Sequence, residues 1–282
     1  MTNTVNPLFK HFRQPAIHLK LPSSGRWYAD NALDLPITGE IPVYPMTIKD
    51  ELTMKTPDAL MNGSSMADLV TSCCPNIRDP WSVPTVDMDA IFIAIRMASF
   101  GPGMDIRVAC PHCQNTNEYT LDLRTVLDRI RPATVYETPV RIGQLQFQFR
   151  PQRYRDVNQN NIVSYEQQRL VDNIIQNQEL PQDEKVRLFN ESFEKLRDLN
   201  LKIVANSVDS ITTDDGIVVT DYTQIMEFLD NVGRDTYSAI RENVTQIIDQ
   251  VRLEEIKLTC TEEACGKNFT NRLEFDQANF FE

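Results

Sequence analysis

The apolar positions of this chain alternate between a period of two and a period of three to four, and the changes of period mark out its elements. Residues 16–21 place Ile17, Leu19 and Leu21 on one face and stop at Pro22, which reads as a strand followed by the turn Ser23-Ser24-Gly25. Arg26-Trp27-Tyr28 then resumes extended structure. Residues 39–46 form a second extended piece, and Pro42 and Pro45 suit only an edge strand. Thr47 followed by Asp50 is an approximate capping box for a helix carrying Ile48, Leu52 and Met54. Thr56-Pro57 opens a short helix that ends at Asn62-Gly63. Ser64 or Ser65 caps the next, which carries Met66, Leu69, Val70 and Cys73. Asp87 or a neighbour caps the longest of this group, residues 88–99, which is apolar around almost its whole circumference and so predicts a central core helix.

Downstream, residues 138–142 and 144–149 read as two strands around Gly143, with Leu145, Phe147 and Phe149 on one face. Residues 154–178 are polar and helical. After the break at Leu180-Pro181, the residues Val186, Phe189, Phe193, Leu196 and Leu199 recur at helical spacing. A hairpin follows at residues 208–219 around Asp215-Gly216, then helices at 222–229 and from about Asp235 to Val251. The pattern predicts an α+β fold of mixed helices and short antiparallel hairpins. Its expected divisions are an N-terminal α+β core over 1–150, a helical insert over 151–206, and a closing segment over 207–282. Residues 150–255 would form a lobe of their own.

Two cysteine pairs change this picture most. Cys110-Pro111-His112-Cys113 and Cys260-Thr261-Glu262-Glu263-Ala264-Cys265 each sit between strand-like stretches. Four thiolates form the soft tetrahedral set that structural Zn2+ prefers. The pairs therefore read as facing knuckles of a zinc ribbon, with Cys110, Cys113, Cys260 and Cys265 as ligands and the helical insert between them. Small buried thiols and disulfides are the alternatives. The opening residues lack a basic and then apolar leader pattern, which favours a reducing compartment and metal over disulfide. His112 is an alternative ligand, and so tight a turn favours its pointing to solvent. Four thiolates close the coordination shell, so such a metal is structural rather than catalytic.

Composition narrows the function classes. Twenty-eight basic against 40 acidic residues give a formal net charge of -12, without the basic footprint of a nucleic-acid binder. This disfavours the competing reading of a zinc-ribbon nucleic-acid or transcription factor. No apolar run approaches a membrane span, so a soluble protein is expected. The three histidines, His11, His18 and His112, have no local catalytic context, and no His-Glu-x-x-His, P-loop or Gly-x-Ser-x-Gly motif is present. Cys73-Cys74 reads as two small buried residues, and Asp214-Asp215 as a turn rather than a calcium loop.

Several stretches together resemble the baseplate hub and hub-assembly proteins of T-even-like contractile-tailed bacteriophages. They are residues 19–28 with Gly25-Arg26-Trp27-Tyr28, residues 44–51 with Tyr44-Pro45-Met46-Thr47, residues 56–63, residues 89–101, and Ala109-Cys110-Pro111-His112-Cys113. The resemblance covers residues 17–125 well and extends loosely to the end, and the helical segment at 152–205 is longer than the family pattern. It implies a non-enzymatic viral protein of the virion tail baseplate, or of the host cytoplasm during assembly. The partners it implies are other hub proteins and the tape-measure protein, with neither nucleic acid nor membrane. Of the ligand set, only Cys110 and Cys113 match the family motif. Phe280-Phe281 and the helix face around Phe193 are candidate partner anchors, with core packing as the alternative for each.

Overall fold

The computed structural model describes residue 8 and residues 11–56, 63–177, 180–273 and 280–281. Contacts divide the chain into two units, one of Met1–Pro80, Asp87–Arg131 and Leu253–Glu282, the other of Trp81–Val86 and Pro132–Arg252. Among the described residues there are eight α-helices and ten short strands, all paired antiparallel.

In the first unit, β1 (Ile17–Lys20) pairs with β2 (Glu40–Val43) as a two-stranded sheet, so the strand containing Pro42 is an edge, as its proline demands. Helix α1 (Ile48–Met54) begins on the expected capping box: the Thr47 side chain accepts from the Asp50 N–H and the Asp50 carboxylate accepts from the Thr47 N–H. Asp50 also accepts from Ser72 Oγ and pairs with Arg13, whose guanidinium reaches Ser72 and the Pro45 carbonyl. This polar fastening ties the chain ahead of β1 to α1 and to the helix that carries Ser72, and the sequence patterning did not reveal it.

Helix α2 (Ser64–Cys73) is capped by Gly63 rather than by Ser64 or Ser65, with Gly63 at φ 74°, a left-handed conformation that glycine adopts at little cost. The helix expected at residues 57–62 lies outside the described residues. Cys73 and Cys74 are free and fully buried, and burial pushes the Cys73 thiol up to about 11.

Helix α3 (Thr85–Phe100) begins before Asp87, so Asp87 is not its cap. The Asp87 side chain turns inward instead, accepting from Ser23 N–H (2.7 Å), Ser23 Oγ (2.5 Å) and Tyr28 Oη (2.9 Å). Burial pushes this carboxyl up to about 6, against the lowering effect of those three donors. Tyr28 is driven well above the usual phenol range by burial and then by the Asp87 charge, so it stays a donor. The loop held this way is not the extended segment expected at residues 26–28. Ser24, Trp27 and Asn31 have φ of 55°, 67° and 60°. For a residue as bulky as tryptophan that is a strained backbone. Gly25, at φ 81°, leaves room for Leu35: a Cβ there would stand 2.9 Å from the Leu35 Cδ2 atom.

The expected core helix is confirmed by the burial of Ala90, Ile91, Ile93, Ala94 and Ile95. Arg96, one turn from its end, is also buried. Its guanidinium lies over the rings of Phe100 (5.1 Å) and Phe280 (5.8 Å), while Nε and Nη1 have no hydrogen-bond partner. Phe281 meets Phe92 edge to face at 6.3 Å. The Phe280-Phe281 pair is therefore core, not a partner anchor, because two adjacent phenylalanines bury more apolar area against α3 than an exposed tail could keep.

In the second unit, β5 (Val140–Ile142), β6 (Leu145–Phe149), β7 (Val208–Thr212) and β8 (Val218–Val219) form one sheet in that order. It crosses the boundaries expected at 150 and 207. Helices α5 (Tyr154–Gln176) and α6 (Gln182–Asn206) form the helical hairpin between β6 and β7 and pack on each other. Phe147 and Phe149 on one face of β6 are fully buried, and Phe147 meets Phe228 of α7 (Tyr222–Asn231). Helix α8 (Arg234–Val251) starts on Gly233, so Asp235 sits in its first turn rather than at the cap. Phe193 remains 64% exposed on α6.

Candidate metal centre

The two cysteine pairs lie on two β-hairpins of the first unit. Strands β3 (Gly103–Ala109) and β4 (Thr116–Asp122) flank the first pair over seven residues each, and helix α4 (Leu123–Asp128) follows β4. Strands β9 (Ile256–Thr259) and β10 (Asn268–Asn271) flank the second over four each. Each turn is closed by the backbone: Cys110 N–H to the Asn115 carbonyl and Gln114 N–H to the Cys110 carbonyl in one, Cys260 N–H to the Lys267 carbonyl and Cys265 N–H to the Glu262 carbonyl in the other. Gln114, at φ 62°, and Gly266, at φ 52°, let the chain reverse after the second cysteine of each pair.

Cys110, Cys113, Cys260 and Cys265 come together with all four Sγ atoms within 4.8 Å of one another. Cys110 Sγ is 3.9 Å from Cys265 Sγ, and Cys113 Sγ is 3.6 Å from Cys260 Sγ. A tetrahedron of sulfurs about 2.3 Å from a central ion has edges of roughly 3.8 Å, so the thiols fit a metal. They are far beyond the roughly 2.05 Å of a disulfide. Cys110 and Cys260 are buried, Cys265 half-buried and Cys113 exposed. His112 is exposed and outside the cluster.

Electrostatics point the same way. Burial pushes the Cys110 thiol up, but the His112 and Cys113 backbone N–H groups and the neighbouring thiols of Cys113 and Cys260 outweigh it and bring it down to about 7. At Cys113 the Asn115 N–H favours the thiolate, yet desolvation and the thiols of Cys260, Cys265 and Cys110 push it up to about 12. A cation beside Cys110 and Cys113 would favour the thiolate form of both.

Sequence reasoning missed the residues that join the hairpins. Asn117, 1% exposed, accepts at Oδ1 from Thr261 N–H (2.7 Å), Thr261 Oγ1 (2.7 Å) and the Cys260 thiol (3.5 Å), and donates from Nδ2 to the Asn115 carbonyl (2.9 Å). Tyr119 Oη donates to the Thr259 carbonyl at 2.8 Å, and Asn115 Nδ2 to Glu262 Oε2 at 3.1 Å. Nothing in the sequence singles them out, because Thr116 and Glu118 between them are polar as well.

These features define an α+β protein with a four-thiol centre between two β-hairpins. The chain belongs to the family of T4 bacteriophage base plate proteins, whose model matches residues 15–282. The match runs through both cysteine pairs, the helical hairpin and the C-terminal segment, beyond the 17–125 stretch where the resemblance was strongest. No curated protein and no solved structure matches the chain. Among the described residues, no helix is long and apolar enough to cross a membrane.

Proposed function

We propose that this is a hub protein of the phage tail baseplate, without enzymatic activity, that works by binding other hub proteins and the tape-measure protein. The observation that carries the reading is the family match over residues 15–282. Its site of action is the baseplate of the virion tail, or the host cytoplasm while the tail is built. The closed set of four thiols supports a structural Zn2+ ion held by Cys110, Cys113, Cys260 and Cys265, with no ligand position left for a reacting group. An adaptor of this kind needs rigid surfaces, and a metal-stapled pair of hairpins supplies rigidity from few residues. With Phe280 and Phe281 buried, the exposed Phe193 face of α6 is the remaining candidate anchor.

The test is co-expression with the hub and tape-measure proteins of the same phage followed by pull-down, together with deletion of the gene. A stable complex and a loss of infectious tails are expected. Normal tails from the deletion, with no complex in the pull-down, would rule the function out. Salt-dependent DNA binding would instead support the nucleic-acid reading.

A further inference from the structure

We propose that Asn115, Asn117 and Tyr119 are positioning residues of the four-thiol centre: they dock the second cysteine hairpin on the first and bring Cys260 and Cys265 to Cys110 and Cys113 before a metal is bound. The inference rests on the metal reading for its purpose, but not for its geometry.

The three residues alternate along β4 and its approach, so they share one face. Their partners run the other way along the second hairpin: Tyr119 reaches Thr259, Asn117 reaches Thr261, and Asn115 reaches Glu262. The result is an antiparallel ladder of side-chain hydrogen bonds with a defined register. Asn117 is its centre. The Asn115 carbonyl that its Nδ2 binds also accepts the Cys110 N–H. Its Oδ1 binds the residue following Cys260 and the Cys260 thiol itself. A single amide side chain thus connects the turn that holds Cys110 to the turn that holds Cys260.

Two physical arguments make such a ladder useful. Cys113 and Cys260 are 147 positions apart, so a metal that had to gather free hairpins would also bear the entropy of closing that long loop. Hydrogen bonds that have already closed it leave the metal a preorganised site. Thiolates also repel one another before a cation arrives. Hydrogen bonds between uncharged groups, Asn117 with Thr261 and Tyr119 with the Thr259 carbonyl, hold the hairpins together without adding charge beside the thiols.

The experiment uses full-length protein under reducing conditions, with the metal removed by a chelator, and follows hydrogen exchange over residues 256–271. Metal-free wild type is expected to keep this segment protected. Metal-free Asn117→Ala should exchange there at least ~10-fold faster, and added zinc should restore its protection. Its zinc affinity should fall roughly 10–100-fold, the usual effect of removing a group that orients a ligand. The tetrahedral cobalt–thiolate spectrum of Asn117→Ala should keep the wild-type shape at saturation, because no ligand has been removed. Tyr119→Phe, which deletes one bond of the ladder, should move the same readouts less and provides the test if Asn117→Ala does not fold. Metal-free wild type that exchanges over 256–271 as fast as Asn117→Ala would overturn the proposal, as would wild-type zinc affinity in Asn117→Ala. If wild type binds neither zinc nor cobalt, the metal reading fails, and the hydrogen-exchange comparison still decides whether the ladder docks the hairpins.

Discussion

Asp50, Asp87 and Arg96, the charged side chains buried among the described residues, all belong to the unit that carries the cysteines, and Asn117 lies there too. The unit of residues 132–252 buries Phe147, Phe149, Ile174, Ile225 and Leu229, and its buried polar side chains are Gln167 and the serines 82, 192 and 207. Both units have apolar cores. The first adds polar fastenings at Asp50, Asp87 and Asn117, each joining segments distant in sequence. The second is held mainly by apolar area spread over a sheet and its helices. Polar fastenings are directional, so they specify one arrangement of short, irregular segments, but the loss of one partner leaves another buried and unmet. Apolar packing is distributed, so a single loss costs according to the volume removed.

The largest effect should come from the four thiols. Cys260→Ser is expected to abolish stoichiometric zinc and to cost several kcal/mol, toward the ~10 kcal/mol scale of structural zinc sites, measurable by metal analysis and thermal unfolding. Faster hydrogen exchange should be confined to the first unit. Equal acceleration in both units would break the contrast between them.

Next in size is a core truncation in the sheet-centred second unit. Phe147→Ala, at a fully buried position, should cost about 3–5 kcal/mol in denaturant unfolding while leaving zinc content unchanged. Loss of zinc in this variant would show that the units do not respond separately.

Asp87 sharpens the contrast through pH. Its carboxyl stands at about 6 in the folded chain against 3.8 unperturbed, so the folded state binds the proton more tightly. The stability linked to that proton is present in full below pH 3.8 and is lost as pH rises through 6. Asp87→Asn should remove this slope, which amounts to at most about 3 kcal/mol between pH 4 and 7. It should also lower stability by ~1–3 kcal/mol, because an amide cannot accept from Ser23 and Tyr28 as a carboxylate does. A wild-type minus variant difference that stays constant across this pH range would refute the assignment.

The smallest effect on stability belongs to Phe193→Ala. At 64% exposure it should change unfolding free energy by no more than ~0.5 kcal/mol. If α6 is a docking face, the same variant weakens capture of hub partners in the pull-down, and unchanged capture would remove this face from consideration.

Much of the architecture was legible in the chain. Periodicity located β1, α1, α3, the two cysteine hairpins and both long helices, because each follows local rules of spacing and capping. The thiol cluster was legible because two close pairs on similar hairpins have few other uses. The rest depended on partners far away in sequence. Asp87 looked like a cap, since nothing local shows that Ser23 and Tyr28 wait for it 64 and 59 positions away. Asn117 stands in the polar run from Asn115 to Glu118, with nothing local to mark it. Phe280-Phe281 and Phe193 looked alike, and only the ring of Phe92 and the guanidinium of Arg96 beside the first pair separate them.

The 147 positions between Cys113 and Cys260 are also an interval of time. A ribosome adding about 5–20 residues per second makes the first pair of thiols roughly 7–30 seconds before the second. Throughout that interval Cys110 and Cys113 belong to a nascent chain that cannot complete the cluster, while residues 132–252 emerge with all the strands of their own sheet. The order of synthesis therefore differs from the order of the fold: the segment in the middle can finish first, and the beginning must wait for the end. A pulse of a thiol-alkylating reagent during translation should mark Cys110 on unfinished chains and spare it once release lets the last strands dock and bury it.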